Sequence, residues 1–222
     1  EIDRLGGKDP YSASKGMAEL VIRTYVESFF NKNDSNIRIG SVRAGNVIGG
    51  GDWAKDRLVP DCIASWAEGE TVDVRSPEAT RPWQHVLEPL SGYLTLASFL
   101  HSDKTFHGEA FNFGPPASQN NSVRELISEM SKHWGQIRWN DVSEEGEHVH
   151  EAGLLKLNCD KALNDLRWES TLDFNETVKM TVDWYKVFYQ KEFSSMYDFT
   201  VKQIEQYTQL AKIKKMTWAN ND

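Results

Sequence analysis

A chain of 222 residues, 39% hydrophobic and 11% aromatic, has enough apolar surface to bury a sizeable core, which excludes a disordered segment and sets the expectation of an ordered globular fold with one or two domains. Its formal charge of -8 argues against a general nucleic-acid binder, because displacing counterions from phosphates takes clustered Lys and Arg, whereas a few well-placed arginines can still hold a small anionic ligand. The two cysteines, Cys62 and Cys159, point to neither a metal site nor a disulfide framework and fit a reducing cytoplasm, and no apolar run is long enough to span a bilayer.

Glu1 to Pro10 is polar rather than signal-like, so the sequence reads as unexported. Pro10 marks the start of a long helix predicted over Tyr11 to Phe30, where Ala18, Val21, Ile22, Tyr25, Val26, Phe29 and Phe30 recur at helical spacing and form one apolar face. After a loop over Asn31 to Asn36, the β-branched stretch Ile37 to Ala44 predicts a buried strand of a parallel sheet. It runs into a loop, Asn46 to Trp53. Val59 to Glu68 predicts a helix, Thr71 to Arg75 a short strand, His85 to His101 a second long helix interrupted near Pro89, and Ala110 to Phe113 a strand.

Helix and strand alternating in this way give the rhythm of a doubly wound α/β sheet with parallel strands. Past Pro115 and Pro116 the rhythm changes. Ser122 to Trp134 is a helix opened by a capping box between Ser122 and Glu125, and further helices are predicted over Lys161 to Arg167, Asn175 to Tyr189 and Thr200 to Lys212. This second part reads as a smaller, mostly helical lobe packed on the sheet. A dinucleotide fold ordinarily opens with a strand, a Gly-rich turn and a helix whose N-terminus receives the pyrophosphate. No G-x-G-x-x-G occurs here, and Gly49, Gly50 and Gly51 are followed by Asp52 and Trp53 rather than by a helical pattern. The expectation is a chain that starts midway through a domain, with several units of about 30 residues upstream of it, lost to truncation or supplied by another polypeptide.

Tyr11 and Lys15 lie four residues apart and so on the same face of one helix. A nearby ammonium stabilises a phenolate, which turns the tyrosine into a base able to take a hydroxyl proton while hydride leaves the same carbon. An exposed aromatic and an exposed lysine at helical spacing would look the same. Arg57, Arg75 and Arg81 are candidates for the phosphates of a small anionic ligand, since a planar guanidinium clamps phosphate oxygens bidentately, although most arginines are solvated surface residues. Trp53 and Trp83 suit stacking on a base, closing a cleft, or core packing. His85 fits a hydrogen-bonding residue at a helix start. In Glu144 to Glu151 (EEGEHVHE), His148, His150 and the nearby carboxylates suggest a metal, but no third fixed ligand follows; a solvated loop is the default and no metal is expected.

The strings DPYSASKGMAE, RAGNVIGGGDW and RPWQHVLEPLSGY occur in the order that marks the extended short-chain dehydrogenase/reductase family, which this chain resembles from about Pro10 to Tyr189. Within it, RAGNVIGGGDWAKDRLVPD and RSPEATRPWQHVLEPLSGY are most similar to the branch of nucleotide-sugar 4,6-dehydratases that acts on CDP-glucose. The resemblance implies the C-terminal part of a Rossmann doubly wound parallel sheet, in residues 1–45 and 84–113, with a nucleotide-sugar-binding domain in 46–83 and 114–222. It implies NAD as cofactor, a CDP-sugar as substrate, and the absent N-terminal half of the same fold as a partner, with a homodimer or higher homo-oligomer formed through helices that include the Tyr11 helix.

It also implies roles. Tyr11 would remove the C4 hydroxyl proton, and Lys15 would tune it and hydrogen-bond the cofactor ribose. Arg43 and Ala44 would border the nicotinamide, and Asn46 would donate to the substrate phosphates, where an ordinary turn-forming Asn is the alternative. Arg57, Arg75 and Arg81 would meet the pyrophosphate and ribose of the nucleotide sugar, Arg81 matching the family's phosphate-binding arginine with Trp83 beside it, and His150 and Glu151 fall in a segment that reaches the nucleotide in similar enzymes. The acid and base of the elimination step would lie upstream of Glu1, so these residues would hold half a catalytic site. A related epimerase or reductase, or a non-catalytic module that keeps the fold, remains an alternative.

Overall fold

Asp9 accepts hydrogen bonds from the backbone N–H and the hydroxyl of Ser12 (2.9 and 2.6 Å), and with Pro10 in the first turn this cap starts α1 (Pro10–Tyr25). A computed structural model of the chain describes residues 5–7, 9–31, 35–144, 157–191 and 195–220. The last turn of the predicted helix, Val26–Phe30, is wound as a π-helix. Of the apolar residues expected to form its inner face, Val26 alone is buried among the described residues, while Val21, Tyr25 and Phe29 stand exposed with Met17 and Leu20.

The sheet elements are short and pair across long sequence separations. Strand β1 (Ser41–Ala44) is half the length expected, because the backbone before it pairs elsewhere: Ile39 N–H donates to His107 Nδ1 and its carbonyl accepts from Gly108. Then follow β2 (Val47–Ile48), α2 (Leu58–Ala67), β3 (Val72–Val74), β4 (Thr80–Arg81), β5 (Gln84–His85), α3 (Leu87–Ser102), β6 (Ala110–Phe113) and β7 (Asn121–Ser122). Strand β1 runs parallel to β6 with Ser41 opposite Ala110, and β2 runs parallel to β5 with Val47 opposite Gln84. Helix α3 is continuous through Pro89 because that proline sits in the first turn, where a backbone N–H has no partner to lose. It approaches β6 closely: a Cβ on Gly92 would lie 2.2 Å from Phe113.

The remaining elements are α4 (Val123–Trp134), β8 (Trp139–Asp141), α5 (Asp160–Leu166), α6 (Phe174–Gln190) and α7 (Met196–Ile213), closed by a 3₁₀ turn at Thr217–Ala219. Both bonds of the capping box at Ser122 and Glu125 form, and a second box at Asp173 and Glu176 starts α6. The three-residue strand β8 runs parallel to β3, and β7 runs antiparallel to β4. Two cores result. One gathers Ile48, Ile63, Trp66, Trp83, Leu126, Val178 and Tyr185 between α2, α4 and α6; the other gathers Leu96, Phe111, Phe113, Leu166 and Trp168 between α3, β6 and α5.

A buried carboxylate joins the two parts. Glu88, 1% exposed in the first turn of α3, accepts the Thr171 N–H on both oxygens (3.1 and 3.0 Å), the Leu172 N–H (2.7 Å) and the Tyr207 hydroxyl of α7 (3.0 Å). Ser91 receives the Trp168 indole N–H at 2.9 Å and lies 3.1 Å from the same tyrosine. Each carboxylate oxygen is therefore satisfied by groups far along the chain, which is how a buried charge is tolerated.

Burial pushes the Glu88 carboxyl up from 4.5 to about 7 against the pull of its donors, and burial pushes the His85 imidazole down from 6.5 to about 4. The folded state binds the Glu88 proton more tightly than the unfolded chain, so this group's contribution is full below pH 4.5 and declines as pH rises toward 7. His85 works in the opposite sense, its contribution declining as pH falls from 6.5 toward 4. The two slopes oppose each other between about pH 4.5 and 6.5. Urea titrations of Glu88→Gln are expected to show a loss of about 2–4 kcal/mol and a stability that rises with pH across that window, steeper than in the unmodified protein.

Candidate active site

Tyr11 and Lys15 occupy the first turns of α1, and the ammonium of Lys15 lies over the Tyr11 ring, 5.5 Å from its centroid. The ring is 71% exposed, so among the described residues nothing encloses this pair. One helical turn further along the same stripe stands Glu19. Its carboxylate accepts from Arg43 Nε at 2.7 Å and from the Ser41 hydroxyl at 3.1 Å, and the Arg43 bond holds it below the usual carboxylate range. Arg43 also reaches Asn112 Oδ1 at 3.4 Å, and Asn112 Nδ2 donates to the Asn158 carbonyl at 3.0 Å. The guanidinium expected at the cofactor thus ties the Tyr11 helix to β1 and β6.

Beyond Arg43, Ala44 ends β1 opposite Phe113, and Gly45 abuts Pro82, whose Cγ would lie 2.8 Å from a Cβ there. Half-buried Asn46 accepts the Gln84 N–H on its carbonyl at 3.0 Å. The structure therefore brings the segment Ala44–Asn46 against Arg81–Gln84. Arg81 is 8% exposed, with Nη1 donating to the Thr80 carbonyl at 2.8 Å. Trp83 packs in the first core, and its indole N–H donates to the Asn121 carbonyl at 3.1 Å. Its polar handle is thus used within the fold.

Arg57 stands exposed just before α2, 3.7 Å from Asp52, and Arg75 stands exposed after β3. Trp53 is half exposed and seated on the aromatic face of α6, formed by Trp184, Tyr185, Phe188 and Tyr189. His85, buried in β5, accepts from Leu87 N–H on Nδ1 at 3.3 Å. His150 and Glu151 lie outside the described residues, as does most of EEGEHVHE.

Sequence reasoning missed Glu19 and Asn112. Glu19 carries a legible signal, being one turn beyond Lys15 on the same stripe, whereas the pairing of Asn112 with Arg43 crosses 69 positions and follows only from the β1–β6 register.

Residues 2–114, which include Tyr11, Lys15, Glu19, Arg43, Asn46 and Arg81, match the model of the NAD dependent epimerase/dehydratase family. The chain belongs to this family. A relative in it is the CDP-glucose 4,6-dehydratase of Salmonella typhimurium, 44% identical over 196 residues, which make up 86% of this chain and 54% of that one. Among solved structures, the chain is similar to dTDP-glucose 4,6-dehydratase from Bacillus anthracis in complex with NAD (TM-score 0.63, 20% identity, 84% of this chain and 55% of that one). It is also similar to UDP-glucuronic acid 4-epimerase from Bacillus cereus in complex with UDP-glucuronic acid and NAD (TM-score 0.67, 19% identity, 85% and 58%). At these identities the structural likeness establishes the fold, an α/β arrangement of the Rossmann type with parallel strand pairs. The chain spans about half the length of these proteins. Among the described residues no helix is long and apolar enough to cross a membrane.

The Glu19–Arg43 pair joins α1 to β1. A double-mutant cycle with Glu19→Gln and Arg43→Met, read by urea denaturation, is expected to give a coupling of about 1 kcal/mol, and additive losses would remove the pair from this role.

Proposed function

We propose that this chain is the Tyr-helix part of a CDP-D-glucose 4,6-dehydratase, converting CDP-glucose to CDP-4-keto-6-deoxyglucose and water in deoxysugar and O-antigen biosynthesis. The observation that carries this reading is the 44% identity to the Salmonella typhimurium CDP-glucose 4,6-dehydratase across 86% of the chain. The family is NAD dependent. An exposed phenol and an ammonium one turn apart suit the ribose diol and nicotinamide edge of that cofactor, while a Gly-rich pyrophosphate turn is not among these 222 residues. When bound, NAD supplies a reversible store for one hydride.

The residues of the chain then have separate tasks. Tyr11 takes the proton of the sugar C4 hydroxyl as hydride leaves that carbon, and the Lys15 ammonium lowers the cost of the phenolate and donates to the cofactor ribose. The 4-ketone acidifies the C5 proton, so water can leave across C5 and C6 before hydride returns to C6. Glu19 and Arg43 keep the Tyr11 helix turned toward the end of β1, which leaves Arg43 and Ala44 their backbone for the cofactor. Asn46 and the buried Arg81 face the substrate phosphates, with Arg57 and Arg75 as outer contacts, Trp83 beneath, and His150 and Glu151 toward the nucleotide. In domain terms, 1–45 and 84–113 serve the cofactor and 46–83 and 114–222 the nucleotide sugar. The uncovered apolar residues of α1, among them Met17, Leu20 and Val21, support pairing of two copies through this helix.

Full-length protein given CDP-glucose and NAD is expected to yield a 4-keto-6-deoxy sugar that absorbs in alkali, and Tyr11→Phe to lower kcat by about 10²- to 10⁴-fold. An epimer or net consumption of NADH would place the protein with the epimerases or reductases, and near-normal turnover of the Phe variant would remove Tyr11 from the chemistry. The 222-residue chain alone is expected to bind NAD more weakly than micromolar by calorimetry; a micromolar Kd would contradict the division of the site.

A further inference from the structure

The loop that follows Asn46 is shaped by the C-terminal lobe. The Tyr185 hydroxyl, on a side chain with no exposed surface, donates to the Asp52 carbonyl at 2.8 Å and accepts the Asp52 N–H at 3.2 Å. It therefore closes both backbone groups of one loop residue 133 positions away. Beside it, Trp184 lies flat under the loop: a Cβ on Gly50 would come within 2.0 Å of its Cγ. Trp184 is itself pinned, since its indole N–H donates to the Thr200 hydroxyl of α7 at 2.9 Å. Trp53 completes the seat, with ring centroids 4.9 Å from Phe188 and 5.4 Å from Tyr185.

The Asp52 side chain points the other way. It accepts the Ala54 N–H at 3.0 Å and lies 3.7 Å from the Arg57 guanidinium. Upstream the loop leaves β2, whose register with β5 holds Asn46 against Gln84. The fixed point at Asp52 thus lies between two residues assigned to substrate phosphates, and it adds a hydrogen-bonded anchor to the aromatic seat of Trp53 and the contact of Gly50 with Trp184.

We propose that Tyr185 is a positioning residue for nucleotide-sugar binding, acting through Asp52 on the loop that runs from β2, whose start adjoins Asn46, to Arg57; this rests on the substrate reading above. Losing the hydroxyl leaves the Asp52 N–H and carbonyl without their partner but keeps the aromatic packing. The consequence falls on binding rather than on chemistry, because Tyr11 and Lys15 sit on α1, outside the loop.

The test uses full-length protein and CDP itself as the probe, so that ligand binding is read apart from turnover. Tyr185→Phe is expected to weaken the calorimetric Kd for CDP by about tenfold and to raise KM for CDP-glucose by a similar factor, with kcat within about twofold and the NAD Kd unchanged. Gly50→Ala disturbs the same loop through the neighbouring residue of α6: Gly50 has a φ outside the left-handed region, and the nearest atoms its Cβ would meet belong to Trp184, so the same pattern is expected. Unchanged CDP affinity in both variants, a fall in kcat with KM unchanged, or no CDP binding by the unmodified protein would overturn the proposal. If CDP binding weakens as expected while the unmodified protein forms no 4-keto product, the positioning role stands and the dehydratase reading fails.

Discussion

Helix α1 is tied to the sheet by the ion pair between Glu19 and Arg43. Helix α1 carries Tyr11 and Lys15 on the same stripe as Glu19, so whatever holds Glu19 also sets the direction of the phenol. A helix with its apolar residues largely exposed cannot be oriented by hydrophobic burial, which is non-directional in any case. A guanidinium bonded to a carboxylate can orient it, because both partners have fixed geometry and the second donor of Arg43 is held by Asn112. The pair is partly buried, so solvent screens it less than a surface pair.

The lobe after β6 supplies constraints of a different kind. Glu88 gathers two backbone N–H groups and a tyrosine from segments more than eighty positions away, and Trp168 and Tyr207 meet at Ser91. Helix α3 therefore cannot shift without exposing a carboxylate and several donors at once, a cost far above that of an ordinary contact. Helix α6 packs against α4 on one side and against the glycine-rich loop on the other. Helix α1 and the loop after β2 are thus held by separate devices, one ionic at the sheet and one aromatic against α6.

Local signals in the sequence mapped well onto local structure. The Ser122–Glu125 box, the apolar run of Ala110–Phe113 and the helical spacing after Asn175 each appear as an element within a residue or two of the expected bounds. What failed was decided at long range. Strands of two residues, such as β2 and β5, show no periodicity and exist only through each other. The stretch Ile37–Gly40 has strand composition but gives its backbone partners to His107 and Gly108. Pro89 reads as a break and is a first-turn residue, since the helix start was placed two residues too early. The placement of Tyr11 and Lys15 on one helix face is legible because four residues suffice to define it. Glu88 and Tyr185 are not, because their partners are fixed by the packing of whole helices.

The proposed reaction requires that one hydride leave C4 of the sugar and return to C6 of the same molecule, with Tyr11 handling the C4 proton. The direct measurement is mass spectrometry and NMR of the product formed by full-length protein from CDP-glucose deuterated at C4, in ordinary water. Deuterium at C6 of a 4-keto-6-deoxy sugar is the predicted result. Deuterium retained at C4, or washed out into solvent, would contradict the account.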